Sequence, residues 1–165
     1  MKKYKNGMYG GKFLPFHKGH LRCMQEAAKV CETLWLIMFI GGELENKAMA
    51  KFSPDDDVSY LSPEARQKRI EEIVKDYPNV KFVVLDVSST FHDGFEDWDM
   101  QTPMVLDACG ELDAVFGSEP SYAEYFSRAY PEADYVVIDV DRKACPISGT
   151  AVREMSAEER EKWIA

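Results

Sequence analysis

The segment Leu34–Ile40 reads LWLIMFI and is apolar at each of its positions. A strand exposed on one side alternates apolar and polar residues, whereas a parallel strand covered on both sides does not need to. The segment is also far shorter than the roughly 18 residues expected of a membrane-spanning helix. It therefore predicts a strand in the interior of a parallel sheet that is packed on both faces.

Other segments of strand length occur along the chain, and amphipathic segments separate them. The predicted strands are Gly7–Phe13, Leu34–Ile40, Val80–Val87, one within Asp113–Glu119, and Asp134–Val140. Strands that alternate with helices form right-handed βαβ units. The sequence therefore predicts a Rossmann-like α/β fold, with a doubly wound, parallel five-stranded sheet and helices on both faces. Residues 1–165 are expected to form a single domain.

Helix signals lie between the predicted strands. The first predicted helix has an apolar face at helical spacing, made of Leu21, Met24, Ala28 and Cys31. Ser62 and Pro63 are a typical N-cap and first helical residue, so a helix is predicted over Ser62–Tyr77. Ser121–Tyr130 is predicted to be another helix. By contrast, Gly41–Tyr60 is polar and rich in acids, and it is predicted to be a long loop.

The overall charge limits the classes of partner. The formal net charge is −9 and the sequence pI is about 4.9. A duplex nucleic-acid binder normally needs a basic face, so nucleic acid is not an expected partner. A membrane is not expected either, because no apolar run is long enough and the amino terminus lacks the pattern of a secretory signal. We expect a cytoplasmic protein, and homo-oligomerisation is left open.

The cysteines indicate no metal or redox motif. Cys23, Cys31, Cys109 and Cys145 show no CxxC spacing, which argues against a zinc site or a thioredoxin-like pair. If Cys23 and Cys31 shared one helix, they would be about 12 Å apart along its axis, too far for a disulfide. We expect buried, reduced thiols.

Two of the three histidines lie three residues apart, where a glycine-rich turn meets the first predicted helix. The segment follows the pattern G-K-F-x-P-x-H-x-G-H. Gly10 and Gly11 permit backbone angles and close approaches that a Cβ would block. His17 and His20 would lie beside a helix N-terminus, which favours an anion. A triphosphate between the two rings would favour their protonation and make both better donors, so the segment predicts a phosphate site.

A second segment, PISGTAVRE at Pro146–Glu154, follows the last predicted strand and opens a short helix. Backbone N–H groups and hydroxyls of Ser148, Gly149 and Thr150 can donate to phosphate, and Arg153 adds a planar cation one turn later. Taken alone, the segment also fits an ordinary capped helix with a solvated arginine. Combined with the histidine segment, it favours phosphate binding.

Together the two segments resemble the nucleotidyltransferase superfamily, whose hallmarks are an HxGH-type motif and a carboxyl-terminal ISxTxxR-type motif. The resemblance covers nearly the whole chain. GKFLPFHKGH and ISGTAVRE are most similar to nicotinamide mononucleotide adenylyltransferases, especially the adenylyltransferase half of bifunctional bacterial proteins that also carry a ribosylnicotinamide kinase. The chain has no GxxxxGK[ST] element, so kinase activity is not expected.

The resemblance implies in-line attack by a substrate phosphate on the α-phosphorus of ATP, with release of pyrophosphate. The residues implied in catalysis are His17, His20, Lys12 and Arg153. The residues implied in nucleotide binding are Gly10, Gly11, Phe13, Gly19, Ser118, Glu119, Ile147, Ser148, Gly149 and Thr150. Mg²⁺ is the implied cofactor, held mostly by water and substrate, so no dedicated carboxylate site is implied.

Four residues are implied on the acceptor side, namely Trp98, Asp99, Arg66 and Arg142. The segment GFEDWDMQ aligns with W-D-x-W in the bifunctional relatives, which is implied to stack on the nicotinamide ring. Trp98 and Asp99 match that pattern, whereas Gln101 replaces the second tryptophan. A core tryptophan is the alternative for Trp98, and a solvated helical arginine is the alternative for Arg66.

The leading hypothesis is transfer of AMP from ATP to nicotinamide mononucleotide, which gives NAD. A first alternative keeps the chemistry but uses CTP, or another phosphorylated acceptor such as phosphopantetheine. Cytidylyltransferases commonly show an R-T-x-G-I-S-T-T-like second motif, which CPISGTAVR does not match. A second alternative is a module that senses a nucleotide without turnover, and the intact His17, His20 and Arg153 argue against it.

Overall fold

The computed structural model describes residues 2–138 and 147–165, apart from the side chains of residues 43 and 44. The strands are β1 (Tyr4–Gly11), β2 (Cys31–Ile40), β3 (Val80–Asp86), β4 (Phe91–His92), β5 (Phe95–Glu96), β6 (Ala114–Gly117) and β7 (Asp134–Val137). Five of them form a parallel sheet in the order β3-β2-β1-β6-β7, and β4 and β5 form a separate antiparallel hairpin. The strand order reverses between β1 and β6, so the predicted doubly wound parallel sheet is confirmed.

The helices connect the strands and cover both faces of the sheet. They are α1 (Lys18–Val30), α2 (Gly42–Ala50), α3 (Pro63–Val74), α4 (Trp98–Cys109), α5 (Ala123–Ala129), α6 (Gly149–Glu154) and α7 (Ala157–Trp163). Short 3-10 turns occupy Ser59–Leu61, Ser88–Thr90 and Pro120–Tyr122. None of the helices in the described part of the chain is long and apolar enough to cross a membrane.

The uninterrupted apolar character of β2 follows from its place between two cores. Leu34 and Leu36 belong to the core beneath α1 and α3, where Met24 and Ile70 are fully buried. Ile37 belongs to the opposite core beneath α4 and α5. Successive side chains of a strand point to opposite faces, so a strand between two cores needs apolar residues throughout.

The main correction to the predicted fold concerns Gly41–Tyr60, which is not one long loop. Most of its first half is α2, and its last two residues lie in a 3-10 turn. Gly41 and Gly42 have φ values of 74° and 82°, a conformation open to glycine that turns the chain directly from β2 into the helix. The buried face of α2 includes the charged residue Glu45, so it does not show the apolar spacing that identifies a helix.

Smaller differences concern the ends of elements. Ser62 is the N-cap of α3, as predicted, and its Oγ accepts a hydrogen bond from the Ala65 N–H at 3.1 Å. Cys31 begins β2 and does not continue the first helix. Cys23, Cys31 and Cys109 are buried, as predicted. The prediction for Cys145 and the end of the predicted strand Asp134–Val140 lie outside the described residues.

Candidate active site

A cavity of about 280 Å³ opens at the carboxyl ends of β1 and β6, where the strand order reverses. This is the position at which doubly wound sheets bind ligands, because the two chain crossovers leave a crevice there. The residues around it include Gly10, Gly11, Lys12, His20, Phe39, Glu96, Trp98, Gln101, Ser118, Glu119, Tyr122, Tyr125, Phe126 and Tyr135. Lys12 and His20 follow β1, whereas the aromatic rings come mainly from α4, α5 and the turn before α5.

His17 and His20 are fixed by reciprocal bonds at the start of α1. The Nδ1 of His17 accepts hydrogen bonds from the N–H groups of Gly19 (3.1 Å) and His20 (3.3 Å), and the Nδ1 of His20 accepts from the His17 N–H at 3.1 Å. The two rings stack with centroids 3.7 Å apart. His17 is buried, at 3% exposure, whereas His20 lines the cavity.

These bonds determine where the histidine protons lie. A ring nitrogen that accepts a hydrogen bond carries no proton, so each neutral ring carries its proton on Nε2. The rings therefore have the tautomer in which Nε2 is the donor. Each Nδ1 is therefore used within the turn, and Nε2 is the ring nitrogen that can donate to a ligand.

The glycines before this turn are needed for packing and not for unusual backbone angles. Neither Gly10 nor Gly11 has a positive φ. A Cβ on Gly10 would lie 2.7 Å from the Phe39 ring, and a Cβ on Gly11 would lie 2.8 Å from the Phe13 ring. Phe13 itself is buried and its ring packs edge-on against that of His20, with centroids 4.9 Å apart. Phe13 therefore helps to hold the His20 ring in place from the core side.

Lys12 lies at the cavity wall with two partners. Its Nζ donates to the Gly41 carbonyl and to Glu96 Oε1, each at 3.0 Å, and its side chain is 16% exposed. Sequence reasoning missed Glu96, which belongs to the β4–β5 hairpin. Nothing in the sequence distinguishes it from the other acids of the segment, because its position depends on the turn at Asp93–Gly94.

Arg66 is not a solvated helical arginine, because its side chain is almost completely buried. Its Nε donates to the Leu61 carbonyl (2.8 Å) and its Nη1 to the Lys12 carbonyl (2.7 Å). Its Nη2 pairs with Glu45 Oε1, while Glu45 Oε2 accepts from the Gly41 N–H. Burial lowers the pKa of Arg66, and the adjacent carboxylate opposes that shift. All three guanidinium nitrogens bond to protein atoms, so Arg66 ties α3 and α2 to the end of β1.

Trp98 begins α4 and is held among aromatic neighbours at the cavity wall. Its ring packs edge-on against Tyr122 and Tyr125, with centroids 5.0 and 5.3 Å away. The hydroxyl of Tyr125 donates to the Trp98 carbonyl at 2.6 Å. The neighbouring Asp99 is exposed, pairs with Arg128 at 3.3 Å, and does not line the cavity. The structure therefore separates two residues that the sequence pattern grouped together.

Two phenols of the aromatic wall, those of Tyr125 and Tyr135, stay protonated near neutral pH. Burial raises the pKa of Tyr135 to about 12, and the same effect raises the pKa of Tyr125. Tyr135 donates to the Glu119 carbonyl at 2.7 Å. Ser118 and Glu119 line the same cavity as Trp98. The spacing of the aromatic residues in SYAEYFSRAY is the sequence signal of this wall.

The carboxyl-terminal motif packs against the histidine turn. A Cβ on Gly19 would lie 3.2 Å from Ile147 Cγ2, and a Cβ on Gly149 would lie 3.3 Å from the Leu14 carbonyl oxygen. Arg153 Nη1 donates to that same carbonyl at 2.7 Å. The two motifs, distant in sequence, therefore come into direct contact.

Arg153 nevertheless opens on a different cavity from His20. This second cavity, of about 490 Å³, is lined by residues that include Lys51, Thr150, Arg153 and Arg160, together with acidic side chains. The Nη2 of Arg153 bonds to Thr150 Oγ1 at 3.2 Å. Ser148 is the N-cap of α6, and its Oγ accepts from the Ala151 N–H at 3.1 Å. The predicted residue Arg142 lies outside the described residues.

Metal-ligating side chains are not gathered in the part of the chain that the structure describes. Among the side chains that the structure describes, no three from His, Cys, Asp or Glu lie together in a way that could hold a metal ion. Glu96 and Glu119 line the cavity, but Glu96 already bonds to Lys12 and to the Trp98 ring.

Comparison with known proteins assigns the family. A family model described as cytidylyltransferase-like matches residues 8–155, which include both motifs. The chain belongs to the cytidylyltransferase-like family. This nucleotidyltransferase therefore has the catalytic class and the superfamily that its two motifs predicted.

The relatives differ in their acceptors. The chain is 26% identical over 158 residues to a phosphopantetheine adenylyltransferase of Mycoplasma capricolum, with 92% of this chain and 96% of the relative covered. A solved NadR protein in complex with NAD and AMP-PNP has a TM-score of 0.65 and 21% identity over 99% of this chain and 45% of its own. A bifunctional NMN adenylyltransferase/ADP ribose pyrophosphatase from Francisella tularensis, complexed with AMP and Mn ion, has a TM-score of 0.56 and 20% identity over 94% and 44%. The chain spans less than half the length of these two structures, which show a shared fold.

Proposed function

We propose that this nucleotidyltransferase transfers AMP from ATP to a phosphorylated acceptor that carries a planar ring, with nicotinamide mononucleotide as the preferred acceptor and NAD as the product. An oxygen of the acceptor phosphate attacks the α-phosphorus. The bond from that phosphorus to the bridging oxygen breaks, and pyrophosphate leaves with the electron pair. One phosphoanhydride bond is formed and one is broken, so no oxidant or further reactant is required.

The observation that carries the proposal is the division of one cavity into a polar end and an aromatic end. His20 and Lys12 lie at the polar end, while Trp98 and its tyrosine neighbours form the other. At about 280 Å³, the cavity is near the lower limit of small-molecule sites, which suits one ring-bearing partner better than two. An acceptor with its phosphate toward His20 and its ring toward Trp98 uses both ends.

The turn supplies the groups that act on the phosphates. The Nε2 donor of His20 is oriented by the capping bonds of the turn, so it needs no reorganisation when charge develops on the α-phosphate, and the buried His17 stacks against that ring at the start of α1. Lys12 adds a positive charge at the same end of the cavity. These groups position reactants and stabilise charge, which is sufficient for an in-line displacement with no covalent enzyme intermediate.

The nucleotide is proposed to lie toward the carboxyl-terminal motif. Contact between that motif and the histidine turn supports this, because Arg153 bonds to the Leu14 carbonyl within the turn. In this arrangement Ser148, Gly149 and Thr150 meet the β- and γ-phosphates along with Arg153. Mg²⁺ would enter as the counter-ion of the triphosphate, because the described residues offer it no resident ligand set.

Phosphopantetheine is the second candidate acceptor. The Mycoplasma relatives named phosphopantetheine adenylyltransferase cover nearly the whole chain and support it. The aromatic end of the cavity favours a planar ring over a flexible pantetheine arm, because ring stacking contributes roughly 1–3 kcal/mol. For this reason nicotinamide mononucleotide is preferred.

The test is a pyrophosphate-release assay with Mg²⁺ that pairs ATP or CTP with nicotinamide mononucleotide, its nicotinic acid counterpart, or phosphopantetheine. The proposal predicts the highest kcat/KM for ATP with nicotinamide mononucleotide, and NAD as the product identified by mass spectrometry. Turnover restricted to phosphopantetheine would establish the second candidate. Turnover with CTP alone would show that the enzyme transfers CMP and not AMP. ATP binding without turnover of any pair would identify a nucleotide sensor.

A further inference from the structure

Glu96 occupies a position between the two ends of the cavity. Its side chain is 7% exposed, its Oε1 lies 3.0 Å from Lys12 Nζ, and its Oε2 accepts from the Trp98 indole N–H at 3.2 Å. One carboxylate therefore holds the cation of the polar end and the ring of the aromatic end. No other described side chain bonds to both.

The surroundings leave the Glu96 carboxylate little freedom. A Cβ on Gly42 would overlap Glu96 Oε1 and would lie 3.1 Å from Lys12 Nζ. Gly42 also has a φ of 82°, so both its backbone and its missing side chain suit this contact. The carboxylate is thus enclosed by the start of α2, the hairpin and α4.

The bonds to Lys12 determine the direction of its remaining donor. An ammonium group has three N–H donors, and two are used by the Gly41 carbonyl and Glu96. With those two bonds in place, the direction of the third N–H is fixed by the geometry of the ammonium group. Lys12 and His20 line the same cavity. Glu96 also places a negative charge beside Lys12, which weakens the electrostatic attraction of Lys12 for anions. Its hydrogen bond, by contrast, fixes the direction in which Lys12 can donate.

We propose that Glu96 is a positioning residue for nucleotidyl transfer, which aims Lys12 at the reacting phosphate and orients the Trp98 ring for the acceptor. The proposal rests on the assignment of the polar and aromatic ends made under "Proposed function". Glu96 acts through these two neighbours and does not itself contact substrate. It links the position of the phosphate-binding cation to that of the acceptor ring.

The first test is Glu96→Gln, a nearly isosteric change. An amide has one acceptor oxygen, and its NH₂ group cannot accept from an ammonium or an indole N–H, so at most one of the two bonds survives. We expect kcat to fall about tenfold or more and the acceptor KM to rise several-fold, while the ATP KM stays level because the nucleotide is proposed to lie toward Arg153. Asp107→Asn is the matched control, an exposed carboxylate on α4 that should leave all three constants unchanged.

Two further backgrounds separate positioning from general damage. If Glu96 acts through Lys12, then Glu96→Gln should change kcat less than twofold in a Lys12→Met background. If it acts through Trp98, then its effect on the acceptor KM should vanish in a Trp98→Phe background, which lacks the indole N–H. Equal losses in all backgrounds would overturn the proposal, because they would mean a structural role.

The outcomes of these assays separate this inference from the proposed function. Wild-type turnover with an unaffected Glu96→Gln variant would overturn the inference alone, whereas a wild-type enzyme inactive on every pair would remove both. If Glu96→Gln does not fold, Trp98→Phe alone must still raise the acceptor KM several-fold. An unchanged acceptor KM in that variant would overturn the inference.

Discussion

At the polar end of the cavity, side-chain positions depend on backbone hydrogen bonds, whereas at the aromatic end they depend on ring packing. His17 and His20 are fixed by N–H groups of their own turn, within four residues of chain. Trp98 is fixed by rings from a different helical segment. A local hydrogen-bonded turn accepts few substitutions, while a packed ring wall can exchange residues of similar volume. Substitutions should therefore lower the rate of nucleotidyl transfer more readily than they change the selectivity for the acceptor.

The largest expected effect is at His20. His20→Ala should lower kcat by about 100- to 1,000-fold, the cost typical of losing one donor to a developing charge. Because alanine also removes a capping bond, His20→Asn is the companion variant. Its side-chain oxygen can still accept from the His17 N–H, but it lacks the Nε2 donor. Steady-state kinetics together with thermal unfolding separates the two effects, and near-normal kcat in both variants would remove His20 from the reaction.

The next largest effect concerns the support of the polar end. Arg66→Met should lower the free energy of unfolding by about 3–5 kcal/mol, because it leaves the buried Glu45 carboxylate without its cation. The double variant Arg66→Met/Glu45→Met should recover much of that loss. Denaturant unfolding measures both. A loss below about 1 kcal/mol in the single variant would show that Arg66 is not the anchor described above.

A smaller effect is expected at the aromatic end. Trp98→Leu should raise the acceptor KM by about 5- to 150-fold, since ring stacking contributes roughly 1–3 kcal/mol. The ATP KM should stay within about twofold, because the nucleotide is proposed to lie toward Arg153. Trp163→Leu, outside the cavity, is the control. A rise in the ATP KM alone would place the nucleotide at the aromatic end and reverse the assignment of the two partners.

The smallest effect is a pH dependence in the hairpin that carries Glu96. His92 pairs with Asp97 at 2.7 Å and with Asp93 at 3.0 Å, and these hydrogen bonds raise the pKa of His92. A raised folded-state pKa gives stability that is complete below the unfolded value near 6.5 and is lost as the pH rises through the folded value. The Tm difference between wild type and His92→Gln should therefore be larger at pH 6 than at pH 8. Equal differences would show that the pair contributes nothing.

The sequence predicted the fold well because its signals are local. The apolar run of β2 and the Ser62–Pro63 cap report directly on burial and helix start, and both are confirmed. Helix α2 was missed because its buried position Glu45 is charged, and its partner Arg66 is 21 residues away. A buried ion pair between two helices gives neither residue an apolar signature.

The sequence predicted some parts of the site and not others, again because only local contacts leave a signal in the sequence. The motif around His17 and His20 indicated a turn that the structure shows in full, because its bonds are made within the motif. Glu96 could not be predicted, since it depends on a hairpin placed against the start of α2. The separation of Asp99 from Trp98 follows from helix geometry, because adjacent residues on α4 point in different directions.

The central claim is that the polar and aromatic ends of one cavity hold the two ends of a single acceptor. The most direct measurement is a crystal structure with a non-hydrolysable ATP analogue and nicotinamide mononucleotide. We predict the acceptor phosphate within hydrogen-bond distance of His20 Nε2 and the nicotinamide ring against Trp98. An acceptor ring bound away from Trp98, with its phosphate out of reach of His20, would contradict the account.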